Sequence, residues 1–257
     1  MTHLRTSFRS ALALMAFAVF GLSGCTRENR SADAKVRVNF DLLWNGEAFT
    51  LGQTGSDVQG RPVQLERMDC FVGAFELHDS EQGWMDIDTI ARIYFADAES
   101  HTMLDLKTDG DLQIDGLRMG LGVPADQNRG VDPAIYPSNH PLGVRGSSGM
   151  HWGWAAGYIF SIYEGRMQTN PEVPFAYHAG DDTCYRKVEL MWEDPWLLPC
   201  GAQDVSIDLA LDAYLCLHSP EDTIDIEIDP ISHTGNNLPL AIRWVDLYAN
   251  AWSLQPR

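Results

Sequence analysis

The stretch S-S-G-M-H-W-G-W, Ser147 to Trp154, sets one imidazole beside two indoles: His151, Trp152 and Trp154. Imidazole nitrogen suits transition metals, whereas indole packs, stacks or sits in an aromatic cluster. If the stretch is extended, His151 and Gly153 face one way and both indoles the other. Two more histidines are candidate ligands. His140 precedes Pro141, which holds its backbone extended. His178 leads into Asp181 and Asp182, carboxylates able to orient an imidazole. Plain alternatives stand beside each: a loop-bracing hydrogen bond for His140, aromatic core packing for His151 and its tryptophans, and a strand-end histidine beside solvated acids for His178. Glu164 ends an apolar run and is expected to pair with Arg166. No G-x-S-x-G, H-E-x-x-H, P-loop or C-x-x-C-H occurs, so the chain is expected to bind rather than catalyse.

The elements that must position these groups are read from periodicity. K-V-R-V-N-F alternates Val36, Val38 and Phe40 on one face; Val205, Ile207, Leu209 and Leu211 alternate likewise, as do Ile224, Ile226 and Ile228. Such patterns predict half-buried strands. W-N-G-E, T-D-G-D and T-G-N-N read as turns between them. Residues 87–97 form the one helix candidate, and residues 239–252 are ambiguous. Asp109, Asp111 and Asp115 do not have EF-hand spacing and read as an exposed hairpin. The expected fold is all-β, an antiparallel β-sandwich. Residues 122–149 lack periodicity and read as a long functional loop, and the loop and strand from Asn139 to Tyr158 should bring His140, His151 and one of Trp152 or Trp154 together.

Arg5 and Arg9 precede an apolar run too short to span a bilayer, ending in L-S-G-C at Leu22 to Cys25. This resembles a lipobox. Residues 1–24 are therefore expected to be a cleaved export signal, Cys25 the lipidated residue, 25–35 a polar tether and 36–257 the folded domain. Thr26 in place of aspartate points to the outer membrane, with a periplasmic, lipid-anchored location. Export leaves Cys70, Cys184, Cys200 and Cys216 in an oxidising compartment, and an even number suggests two disulfides. Loop closure favours Cys184 with Cys200, leaving Cys70 with Cys216. A four-thiolate zinc site is the rival, weakened by the lack of a C-x-x-C knuckle. The formal charge of −18 argues against nucleic acid or anionic lipid as a partner.

L-R-M-G-L-G-V-P-A-D-Q-N from Leu117, H-P-L-G from His140, G-M-H-W-G-W-A-A-G-Y-I-F-S-I-Y-E-G from Gly149 and F-A-Y-H-A-G-D-D-T-C from Phe175 follow in that order. They resemble the MbnP-like proteins, including their four-cysteine, metallo-mystery-pair branch. The most specific part is M-x-W-x-W-x-x-G-Y, Met150 to Tyr158. The resemblance implies a β-sandwich and a copper site suited to Cu(I), with histidine ligands. It also implies a tryptophan converted to kynurenine by a di-haem cytochrome c peroxidase-like partner. Trp152, Trp154 and Trp44 are the candidates for that residue. Trp44 stands in F-D-L-L-W-N-G, where relatives often carry a histidine. A rival reading is a glycan-binding or adhesion sandwich, with Trp152 and Trp154 stacking on sugar rings and Asp181 and Asp182 binding hydroxyls.

Overall fold

The computed structural model describes residues 31–97, 100–153 and 155–255. The export signal, Cys25, residues 26–30 of the tether and Trp154 lie outside the described residues. The alternation in the first strand, β1 (Ser31–Trp44), is realised fully: Ala34, Val36, Val38, Phe40, Leu42 and Trp44 are buried while their neighbours face outward. β1 starts at Ser31, so the last residues of the expected tether are already strand. Short β2 (Glu47–Ala48) and β3 (Thr54–Ser56) lead to the long β4 (Pro62–Asp79). β5 (Gly83–Tyr94), β6 (His101–Asp109) and β7 (Leu112–Leu121) follow. After the one-turn α1 (Ala125–Asn128) come β8 (His151–Gly153), β9 (Gly157–Met167), β10 (Val173–Gly180), β11 (Arg186–Leu198) and β12 (Val205–Asp212). β13 (Ile231–Ser232), α2 (Leu238–Asn250) and β14 (Trp252–Leu254) complete the chain.

The strands form a five-stranded and a nine-stranded sheet arranged as a sandwich. Most pairings are antiparallel; β1 with β12 and β10 with β13 are parallel. Three expectations change in detail. Residues 87–97 do not form a helix: residues 87–94 belong to β5, where Ile87, Ala91 and Ile93 are buried and β-branched side chains suit the pleat. The Ile224–Ile228 alternation is not a strand. Its acids have a different task, because Asp225 and Glu227 grip the Arg61 guanidinium and the backbone closes turns instead of a ladder. The ambiguous C-terminal stretch is helix α2, capped by the Asn237 side chain, which accepts from Leu240 N. α2 buries Leu240, Ala241, Trp244, Val245, Leu247 and Tyr248 at helical spacing. The Trp244 ring stacks on both Tyr177 and Tyr248, seating the helix on β10.

The feature that places the site is a fork in β4. One edge of β4 pairs with β5, as in Cys70↔Ile93 and Val72↔Ala91. The other edge changes partner within two residues, from β9 at Cys70↔Ser161 to β7 at Val72↔Leu121. The end of β7 and the start of β9 therefore meet at one point. The long segment 122–156 leaves and re-enters the sheet there, with Gly122 N donating to Phe71 O.

Among the described residues no disulfide joins Cys70, Cys184, Cys200 or Cys216. Cys184 and Cys200 flank β11 at opposite ends, and the part of β7 that β11 pairs with runs from Leu121 to Leu112. At about 3.3 Å per residue that is roughly 30 Å, whereas a disulfide needs Cα atoms within about 7 Å. The expected Cys184–Cys200 bridge is therefore excluded: sequence nearness misled because an extended strand separates its ends. Cys70 and Cys216 are both fully buried. Burial raises both thiols, Cys70 to about 12, and Cys70 further raises its neighbour Cys216. Non-reducing peptide mapping of the unfolded protein should find no peptide pair linking Cys184 to Cys200; such a pair would refute this register of β11.

Candidate metal centre

The loop is built around its own backbone. Asp132 caps a 3-10 turn at Pro133–Ile135 by accepting from Ala134 N. Tyr136 then stacks on His140, ring centroids 4.7 Å apart and 8° from parallel. His140 Nδ1 accepts from Leu142 N. Gly143 and Gly146 are needed by contact: a Cβ would stand 2.2 Å from Pro137 O and 1.9 Å from His140 O respectively. Tyr158 Oη donates to Leu142 O at 2.6 Å, and His151 lies edge-on to the Tyr158 ring, centroids 4.7 Å apart. His140 and His151 thus each have a tyrosine partner, but no hydrogen bond or ring contact joins them. His151 Nε2 is buried without a hydrogen-bond partner among the described residues.

At the fork, Asp69 is fully buried and receives two arginines. Arg92 binds both its oxygens, at 2.9 and 2.5 Å, and Arg67 donates to Oδ2 at 3.1 Å. Arg92 Nη1 reaches on to the carbonyls of Gly146 and Ser148, so the same guanidinium fastens the loop to the sheet. The hydrogen bond to Asp69 raises the Arg92 pKa. From Arg67 the polar chain continues: its Nη1 lies 3.8 Å from Glu164, and Glu164 Oε1 lies 2.5 Å from His178 Nε2. Glu164 therefore serves His178, not Arg166, which pairs with Glu66 and Glu172.

His178 has a partner that sequence reading missed. Its ring contacts that of His233, centroids 4.6 Å apart. The parallel pairing of β13 with β10 creates this contact. Thr234 secures it, donating through Oγ1 to His178 O at 3.1 Å and accepting from Gly180 N at 3.0 Å. Thr234 adopts φ +46°, a left-handed conformation uncommon for a β-branched residue. Only the T-G-N-N turn after His233 was legible beforehand. Trp152, 38% exposed, lies across Gly180, whose absent Cβ would be 2.6 Å from the indole Cζ3. The edge of β10 thus collects two imidazoles and, two residues away, one half-open indole.

Burial lowers the His178 pKa below the ordinary 6.5 and outweighs the opposing pull of Glu164. Neutral imidazole beside an acceptor-only carboxylate fixes the tautomer: Nε2–H donates to Glu164, leaving the Nδ1 lone pair open. A carboxylate behind an imidazole is the usual support for a metal-binding histidine. Burial also lowers His140 and His151. Among the described residues no group of three or more His, Cys, Asp and Glu surrounds a common point, so the donor set here is a histidine pair. The donor chemistry fits a soft, low-coordinate metal.

The other sequence candidates have different surroundings. Trp44 is a core residue of β1: its Nε1 donates to Ser56 O, its ring packs on Phe49, and Gly55 makes room for it. Asp181 pairs with Arg129, and Asp182 accepts from the buried Asn128 amide. Both acids brace the loop instead of standing free for hydroxyl ligands. Replacing Asp69 by Asn should leave Arg92 short of its charge partner and cost about 3–5 kcal/mol in urea unfolding. The exposed pair Arg166–Glu66, broken the same way, should cost far less, because solvent screens it.

A search of curated protein sequences finds no match. Among solved structures, MbnP from Methylosinus trichosporium is similar in fold, with a TM-score of 0.52 at 17% identity, covering 72% of this chain and 77% of that one. The MbnP family model matches residues 33–234. That span runs from β1 through the loop to His233 and Thr234, and on it the chain belongs to the MbnP family.

Proposed function

We propose that this chain is an exported copper-binding protein that holds Cu(I) at the His178–His233 pair. The observation carrying this reading is the ring contact between two imidazoles, one of them backed by Glu164 with its Nδ1 left open. Two metal–nitrogen bonds of about 2 Å place ligating atoms roughly 4 Å apart, a span that the 4.6 Å ring separation accommodates. Trp152 is the residue proposed to become kynurenine through a di-haem cytochrome c peroxidase-like partner. It is exposed and lies over Gly180, close in sequence to His178, and the aromatic amine of kynurenine would supply a further donor. The chain itself is proposed to be non-catalytic, lipid-anchored through Cys25 and periplasmic. Its negative charge would favour a partner with a basic rim, in an association weakened by salt.

Competition against a Cu(I) chelator checks the site. His178→Ala and His233→Ala should each weaken binding about tenfold or more, by losing one of two imidazole donors. His140→Ala should change it little. Because His178 is neutral at pH 7, affinity should hold as pH falls towards 6.5 and decline below it. Equal affinities for the wild type and both variants would sink the assignment. Kynurenine adds about 4 Da to the tryptophan it replaces, so peptide mass mapping of protein made with its partner should find that gain at Trp152.

A further inference from the structure

Away from the histidines, the seam between the two sheets is open on one side. The edge strand β11 bulges there: Met191 pairs with Gly116 and Trp196 with Ile114, so Trp192, Glu193, Asp194 and Pro195 loop out opposite one residue of β7. A bulge of this kind re-aims side chains. Here it presents Trp192 and Trp196 as an offset stack, centroids 5.9 Å apart and 10° from parallel, with Trp192 Nε1 pinned to Ile114 O at 2.9 Å. Facing them across the seam are Ile207 and Asp208 of β12, with Leu254 and Gln255 at the end of β14. Together these residues enclose a cleft of about 390 Å³, within the size range of small-molecule sites.

The chemistry of the walls selects the ligand. Three carboxylates line the cleft, Glu193, Asp194 and Asp208, and among the described residues no lysine or arginine does. Among the described residues neither Glu193 nor Asp194 has an ion-pair or hydrogen-bond partner through its side chain, and Asp208 is engaged only by the neutral Asn39 amide at 2.6 Å. The floor is two indoles, the side chains whose negative π-faces attract cations most strongly. Anions are repelled here, and a purely apolar ligand would leave the acids without complement. A soft metal ion would find no imidazole or thiolate, and a hard one needs carboxylates gathered about a common point, which no group of three does among the described residues. An alkylammonium group satisfies both halves, its charge meeting the acids and its methyl groups meeting the rings. We propose that the cleft between the Trp192–Trp196 stack and Asp208 is a binding site for a small organic cation of the alkylammonium class. This site shares no residue with the histidine pair and does not depend on the copper reading.

Calorimetric titration of the whole protein with choline tests the proposal. The neutral isostere 3,3-dimethylbutan-1-ol, which has the same shape without the charge, serves as the comparison. Choline should bind saturably and the isostere at least about tenfold more weakly, since the cation–π and carboxylate attractions are lost together. The double variant Glu193→Gln, Asp194→Asn changes exposed side chains that the fold does not use. It should weaken choline binding several-fold, and added salt should narrow the gap between it and wild type. Trp196→Ala should abolish binding, with circular dichroism confirming that the fold is kept. His178→Ala should leave choline binding unchanged. Failure of choline to bind, equal binding of the isostere, or an unaffected acid-neutralised variant would each overturn the proposal.

Discussion

A buried carboxylate held by two guanidiniums governs the geometry of this protein's working face. Asp69 lies where β4 exchanges one neighbour for another, a place where the ladder cannot satisfy every group. Left alone, its charge would be prohibitively costly to desolvate. Arg92 and Arg67 meet that cost and are turned to further use. Arg92 extends to two loop carbonyls, and Arg67 to Glu164. One electrostatic cluster therefore fixes both the long segment 122–156 and the carboxylate behind His178. Because such networks are satisfied or disrupted as a unit, loop position and imidazole orientation are expected to vary together.

The loop then behaves as a folded element, not a flexible connection. Its glycines permit backbone contacts that a side chain would forbid at Gly143 and Gly146. Its polar groups close on each other through Asp132, His140 and Tyr158. Asn128 ties it to the far side, accepting from Tyr158 N and donating to Asp182. Rigid support of this kind is what a ligand site needs, since donors held by packing and hydrogen bonds bind without the entropy cost of being ordered.

The histidines separate into two environments for a physical reason. His140 and His151 each pack on a tyrosine at the loop, where burial lowers their pKa values. His178 and His233 sit on a strand edge and the turn beside it, where His178 is held against Glu164 and His233 is exposed. The surface tryptophans divide likewise. Trp152 leans on the histidine edge, whereas Trp192 and Trp196 stand on a different edge, raised by a bulge and surrounded by acids.

Period-two alternation in residues 34–44 and 205–211 was enough to determine strands, and their number determined a sandwich, because each strand has only one apolar face to hide. The loop was legible as an aperiodic, glycine- and proline-rich segment, and His178 as a residue near carboxylates. Local pattern could not distinguish residues 87–94 as strand or 224–228 as turn, because isoleucines interleaved with charges fit both until a partner for the acids is known; Arg61 supplied it. It could not find Glu164 behind His178, or His233 beside it, because strand pairing makes those contacts, the second across more than fifty residues. Nearness in sequence suggested that Cys184 and Cys200 would meet. An extended strand divides them. Sequence alone determined which surfaces must be buried; tertiary structure decided which polar groups face one another, because hydrogen bonds and ion pairs depend on register and distance that no single segment encodes.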